Sequence, residues 1–327
     1  MISLEAFQEL WFVLIVVLFA GYTILDGFDL GIAALLPVFG KTKEEKDTLI
    51  NAIGPVWDGN EVWLVTAGGA LFAAFPQAYA TSFSGFYLAF MLVLFCLIFR
   101  AVSFEFRAHS KKMGRFWEWT LTGGSFLAAL LFGVALGNVV FGVPLDAGME
   151  YAGSFFTLLR PVPLAFGLAG LTVVLLQGST WAIMKTEGAV QKRAFRAASI
   201  LSLVELVMII VFIVAAVITV SGTYKNPAFI VGALLALAGA KGVGSSVKKG
   251  NERAPFWESS SALLGLWLMV AAIHFPNLIK AVGDPALSIT IWNASTSLLT
   301  LKIMSVIALV GMPVVIAYSL YVYRVFK

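Results

Sequence analysis

The chain has 327 residues, of which 60% are apolar and only 12% carry a charge, with a formal net charge of +4. Soluble domains have roughly 25% charged residues, so this composition excludes an ordinary soluble enzyme and a disordered chain, and the mild basic excess excludes a nucleic-acid module. It predicts an all-α polytopic membrane protein, a single integral membrane domain over residues 1–327.

The first Lys or Arg is Lys41, so the opening apolar stretch lacks a basic leader and reads as a retained span rather than a cleaved signal peptide. That span covers roughly residues 9–28, or reaches to about 38. It runs into Asp26-Gly27-Phe28-Asp29-Leu30-Gly31, where the two aspartates share a helix face at i, i+3. A helix ending near residue 28 puts them at its cytoplasmic end; one continuing to Pro37 puts them well inside the membrane. The second span is expected at 54–75, closed by Pro76. Val62–Phe75 alone is too short to cross, so the helix must reach back through Glu61 and Asp58, again spaced i, i+3. Helix-start acids are favoured by the free N–H groups there. Acids in low dielectric are also suited to proton exchange. The short hairpin Lys41–Thr48 makes the first two helices neighbours, so both acid pairs can belong to one hydrophilic route.

Further spans are expected at 80–104, 118–141, 161–184, 197–220, 226–247, 259–279 and 303–323, about nine transmembrane helices in all. Arg100, at the inner end of the third, is a counter-charge for the acids, in a proton route or in a structural ion pair. Glu205 interrupts the sixth, either bonded across a helix interface or used in transport. Gly27-x-x-x-Gly31 and Gly133-x-x-x-Gly137 offer close helix approach, though thirty glycines make such spacings common. Trp57 and Trp63 flank the second acid pair as cavity or gate residues, or as packing and belt anchors.

Threading nine helices with the N-terminus outside and the C-terminus cytoplasmic places eighteen of the 22 Lys and Arg residues inside. Only Arg160, Lys225, Lys280 and Lys302 fall outside, which supports an odd number of spans. The longest outer connections, about 142–160 and 280–302, are too short for a soluble core. His109 falls in a basic inner loop and His274 near the outer end of the eighth span, so they cannot form a bis-His haem pocket. The lone Cys96 rules out an internal disulfide, and no metal box, P-loop or nucleophile motif is present. No catalytic residue, cofactor site or metal site is therefore expected on this chain, and no strands.

Four stretches carry a resemblance to a known family. They are Asp26–Gly31; Trp57-Asp58-Gly59-Asn60-Glu61-Val62-Trp63 running into Thr66–Ala74; Phe83–Tyr87 with Phe99-Arg100; and Ile291–Ser295. Gly137-Asn138, Gly142-Val143-Pro144 and Gln177-Gly178-Ser179-Thr180 add to it. The chain resembles subunit II of the cytochrome bd-type quinol oxidases, most densely over residues 20–107. The resemblance implies a partner, the haem-bearing subunit I, with haem b and haem d on that partner. The complex would oxidise quinol, reduce dioxygen to water and draw protons from the cytoplasm, in a bacterial or archaeal cell membrane. It leaves room for a small single-helix third subunit and for a structural quinone. The family's acidic positions map onto Asp29 and Asp58, with Asp26 and Glu61 beside them, and Trp63 matches a position near a proposed oxygen path. The rival class is an ion-coupled secondary transporter using intramembrane carboxylates. Such a transporter would show two similar halves with paired breaks, whereas the acid–Gly breaks here fall in spans 1 and 2 with no clear counterpart in spans 5 and 6.

Overall fold

The computed structural model describes residues 3–110 and 112–325. Lys111 and Lys327, both counted in the inner charge set, lie outside the described residues. The first helix, α1 (Leu4–Ala34), is capped by the Ser3 side chain, which accepts from the Ala6 N–H. At 31 residues it runs about 46 Å. It does not stop at residue 28, so Asp26 and Asp29 lie within the helix. Leu35 breaks it, and Pro37 opens the single turn α2 (Leu36–Phe39). The hairpin holds a short polar helix, α3 (Lys43–Asn51), started by a reciprocal cap between Thr42 and Glu45. Arg193 pairs with Glu45 at 2.6 Å, and together with the Lys41 N–H holds that carboxyl down at about 2.

Helix α4 (Trp57–Ala74) begins before its acids, as the length argument requires. Pro76 ends it and opens α5 (Pro76–Gly85), which bends at Phe86 into α6 (Tyr87–His109). The remaining helices are α7 (Gly114–Phe141), α8 (Pro161–Lys185), α9 (Gly188–Thr219), α10 (Pro227–Lys248), α11 (Ala254–His274) and α12 (Leu298–Val325). Eight helices among the described residues are long and apolar enough to cross a membrane. The ninth expected crossing is α4, left out of that set by composition: Asp58, Asn60 and Glu61 crowd its first turns. The expected absence of strands is corrected by a small antiparallel ribbon, Asn277–Ile279 against Ile289–Thr290. It folds the 280–302 connection over the helix ends, and Val143 bridges to Ala281 beside it.

Helix α1 is the centre of the bundle, packed against α4, α7, α8 and α11. The contact with α8 is backbone to backbone. A Cβ on Gly31 would meet the Val174 carbonyl and lie 2.8 Å from the Gly178 Cα. Gly133 and Gly137 play the same part between α7 and α8, against Phe166, Gly167 and Pro163. Gly27 only brushes the Gln177 side chain at 3.9 Å. Both glycine pairs therefore lie at helix contacts, with Gly27 the loosest of the four.

Two apolar clusters close the ends of α1. Near its start, Trp11, Phe12 and Ile15 pack with Phe75, Phe86, Ile279, Ile289 and Leu301. Near its end, Phe28, Ile32 and Phe39 pack with Leu49, Ile53, Trp181 and Phe256. Helix α12 is attached at a few points. The Trp11 indole donates to Ser305 Oγ at 3.0 Å and to the Leu301 carbonyl at 3.2 Å, and Gln8 donates to Ser295 just before the helix. The most apolar window of α12 has no fully buried residue, so one long face of the helix points away from this chain.

Candidate functional site

Three helices bring their charges to one point. Asp26 comes from α1, Glu61 from α4 and Arg100 from α6, all on segments that are otherwise apolar. Arg100 is fully buried. Its guanidinium grips Asp26 with two bonds, Nη2 to Oδ1 at 2.5 Å and Nη1 to Oδ2 at 3.1 Å. Nη1 also donates to Glu61 Oε1 at 2.7 Å. The planar fork of an arginine matches a carboxylate in this two-pronged way, which a lysine cannot do. The Trp57 ring covers the guanidinium at 5.9 Å and stacks on Phe104 at 4.9 Å, closing that side of the ion pair.

Asp29, one helical turn beyond Asp26, has no cation. The Asn60 amide donates to its Oδ2 at 2.7 Å and to the Leu25 carbonyl at 3.2 Å. The Asn60 carbonyl oxygen accepts from the Tyr323 hydroxyl at 2.9 Å. Asp29 Oδ1 and Arg100 Nε are buried with no hydrogen-bond partner among the described residues, so each keeps bonding capacity that water can use. The Gln177 amide, from α8, donates to the Ile24 carbonyl and to Ser260, and its oxygen accepts from Ser259. This polar seam ties α1 to α8 and α11 next to the acids.

Of the expected site residues, Asp26, Asp29, Glu61, Arg100 and Trp57 come together. Asp58 does not join the ion pair: it is exposed at the start of α4, one turn before Glu61, which is half-buried. Trp63 lies farther along α4, its indole against α1 where Gly21 leaves it room; a Cβ there would lie 2.5 Å from the ring. Asn60 and Tyr323 were not singled out in the sequence. Asn60 stood inside the quoted tryptophan–acid stretch, and its amide is the natural partner for an aspartate without a cation. Tyr323 had no signal beyond being one more aromatic near a helix end.

Glu205 is buried on α9, and its Oε2 has no partner among the described residues, so neither the cross-helix bond nor a transport cluster is seen there. His274 is buried, with Nε2 at 3.2 Å from the Leu278 carbonyl. His109 is exposed at the end of α6. The α6 end lies by Asp47, past the end of α1, whereas the α11 end lies by Phe12 near the start of α1. The two histidines therefore lie at opposite ends of the bundle, too far apart to ligate one haem together. Among the described residues no group of three or more His, Cys, Asp or Glu is placed to hold a metal.

A family model described as cytochrome bd terminal oxidase subunit II matches residues 7–326. The chain is 35% identical to a probable cytochrome oxidase subunit 2 of Haemophilus influenzae, over 99% of this chain and 95% of that one. It is 33% identical to the cytochrome bd-I ubiquinol oxidase subunit 2 of Escherichia coli K12, with the same coverage. It is also 33% identical to the cytochrome bd ubiquinol oxidase subunit 2 of Bacillus subtilis, over 99% and 97% of the two chains. Among solved structures, a chain of the bd oxidase from Geobacillus thermodenitrificans superposes with a TM-score of 0.81 at 15% identity, over 98% of each chain. That last likeness is one of fold.

Proposed function

The chain belongs to the cytochrome bd terminal oxidase subunit II family, and from that membership we infer that it is the haem-free subunit of a bd-type quinol:dioxygen oxidoreductase. The observation that carries this reading is the family match over residues 7–326, joined to relatives 33% identical across nearly their whole length. A secondary transporter is not favoured. The haems belong to subunit I, with which this chain pairs in a cell membrane. The complex takes electrons from quinol and reduces dioxygen to water, and a small single-helix subunit can complete it.

Within that complex this chain has two tasks. The first is to stabilise subunit I, for which α12 offers a long apolar face. The second is to supply protons, and the support for it is the arrangement of carboxyls. Arg100 compensates Asp26 and Glu61, which lets acids persist in a low-dielectric interior. Asp29 stands beside this pair, held by an amide rather than a cation, and is the carboxyl best placed to take up and release a proton. Asp58, exposed and outside the ion pair, is the relay toward subunit I. Trp57 and Trp63 wall this region, and Trp63, packed against α1 at Gly21, is the residue we assign to an oxygen path. Residues 1–327 act as one membrane domain with the N-terminus outside.

The test is purification on a tag placed after Lys327, in mild detergent, followed by a reduced-minus-oxidised visible spectrum. Bands of b- and d-type haem travelling with a second, larger polypeptide are expected. A colourless, solitary protein from membranes that show the d-haem band would overturn the reading.

A further inference from the structure

A cavity of about 320 Å³ opens between α3 and the ends of α8 and α12, lined by Thr48, Asn51, Val56, Trp181, Lys185 and Tyr323. At ~30 Å³ per molecule it has room for about ten waters. Thr48 and Asn51 are exposed at its rim. Its floor is aromatic and firmly held. The Trp181 indole donates to the Ala52 carbonyl at 3.1 Å and stacks on Phe28 at 4.0 Å. The Tyr323 ring is wedged edge-on between Trp181, at 6.0 Å, and Phe28, at 6.4 Å. The Lys185 ammonium sits 5.1 Å from the Trp181 ring.

Tyr323 belongs both to this cavity and to the acid site. Its ring lines the floor, while its hydroxyl reaches past it to Asn60, whose amide holds Asp29. Only two side chains therefore separate cavity water from the Asp29 carboxyl. Neither is a good proton carrier as placed. The hydroxyl proton is given to Asn60 Oδ1, and an amide passes protons poorly. The contact is closed while it lasts.

We propose that this cavity is the water-filled inlet through which Asp29 exchanges protons with the aqueous phase, and that the Tyr323–Asn60 hydrogen bond is its gate. When the hydroxyl rotates away from Asn60, a cavity water moves in and bonds to the Asp29 carboxyl. A proton from a hydronium or a buffer acid of the aqueous phase is relayed along the cavity water to the carboxylate, leaving water or the buffer base behind, and the gate closes after it. No electron transfer is involved. The inference rests on the reading above that Asp29 belongs to a proton route.

The experiment uses the purified complex, with haem content read from the difference spectrum and turnover from oxygen consumption. Asn51→Cys is introduced and, after assembly, treated with a water-soluble methanethiosulfonate bearing a bulky group. The parent complex treated in the same way controls for Cys96 and for thiols of the partner subunit. The expected result is loss of most turnover on labelling, unchanged haem bands, and recovery on adding dithiothreitol. Tyr323→Phe, which keeps the ring and removes only the hydroxyl, is expected to change turnover at constant haem content. Unaltered turnover in a labelled complex, or a cysteine the reagent cannot reach, would overturn the inlet. Asp29→Asn separates the two levels of the argument. Slow turnover in Asp29→Asn with an unaffected labelled complex removes the inlet alone. Wild-type turnover in a haem-loaded Asp29→Asn complex removes the proton route itself.

Discussion

Arg100 and Asp58 make the contrast between structural and functional charge testable at single positions. Arg100 is buried in two carboxylates from two other helices, so Arg100→Gln leaves Asp26 deep in the bundle with its cation gone. Removing one partner of a buried pair costs about 3–5 kcal/mol, and the expected outcome is loss of assembled, haem-loaded complex. Asp58 is exposed and outside this pair, so Asp58→Asn should assemble with full b and d bands. Its turnover should nevertheless fall by at least roughly tenfold, somewhat less than the hundredfold or more of a proton-transfer group acting in the chemical step. Full turnover in the haem-loaded variant would remove Asp58 from the route. The acids and the arginine were legible in the sequence because charge is conspicuous in apolar runs. How they pair was not. The i, i+3 spacing treats Asp58 with Glu61, and Asp26 with Asp29, as equivalents, whereas the fold divides each pair. One member of each joins Arg100, and the other faces Asn60 or the surface.

At the scale of helices, α1 is held to α8 by the absence of side chains. Gly31 and Gly178 face each other so closely that a methyl on either would meet the opposite backbone, which cannot move aside as a flexible side chain can. Gly31→Ala should destabilise the complex by about 1–3 kcal/mol through overpacking. Gly123→Ala, where nothing lies within 4 Å, should be neutral or slightly stabilising. Thermal loss of the haem bands compares the two, and equal midpoints would contradict the close packing. Helix existence followed from apolar run length, and Pro76 marked the end of α4, while α9, α11 and α12 begin five to nine residues before their expected starts. The fate of α1 past Asp29 did not, because a run of apolar residues on both sides of two acids fits a helix end and a continuous helix equally well. The continuous helix wins because Arg100 pairs with Asp26 and Asn60 bonds one oxygen of Asp29, both from other helices. The ribbon at 277–290 escaped for a related reason: its pairing residues lie in two very short segments with no alternation to read.

For the whole molecule, the open quantity is the parity of crossings. Among the described residues eight helices are long and apolar enough to cross, and α4 is the element on which the count turns. With α4 spanning, the ends of the chain face opposite sides, and the eighteen inner cations stay together. With α4 lying in the interface, both ends share a side. A fluorescent protein fused after Lys327 is expected to fold and fluoresce, and an export-dependent phosphatase at the same place is expected to be inactive. At the N-terminus the phosphatase should be active, given a suitable export signal. Matching results at both ends would demote α4 to an interfacial helix. The distribution of Lys and Arg made this orientation legible, since positive loops are selected for the cytoplasmic side. The partner-facing surface was not legible. An apolar side chain that meets lipid and one that meets another subunit look alike in sequence.

The ion pair at the centre of the bundle also sets an order of events in time. Asp26 leaves the ribosome 74 residues before the arginine that compensates it. At ~5–20 residues per second, the interval is roughly 4–15 s. During that time α1 and α4 carry their acids without a counter-ion, at a cost that rises to about 2.5–3.5 kcal/mol for a residue at a helix centre and is smaller toward the ends where these acids lie. The first two helices therefore have reason to wait at the translocon until α6 arrives, so that the three enter the lipid as a unit. A nascent chain arrested just before Arg100 should remain extractable from the membrane by alkali, whereas one arrested after α6 has emerged should resist it.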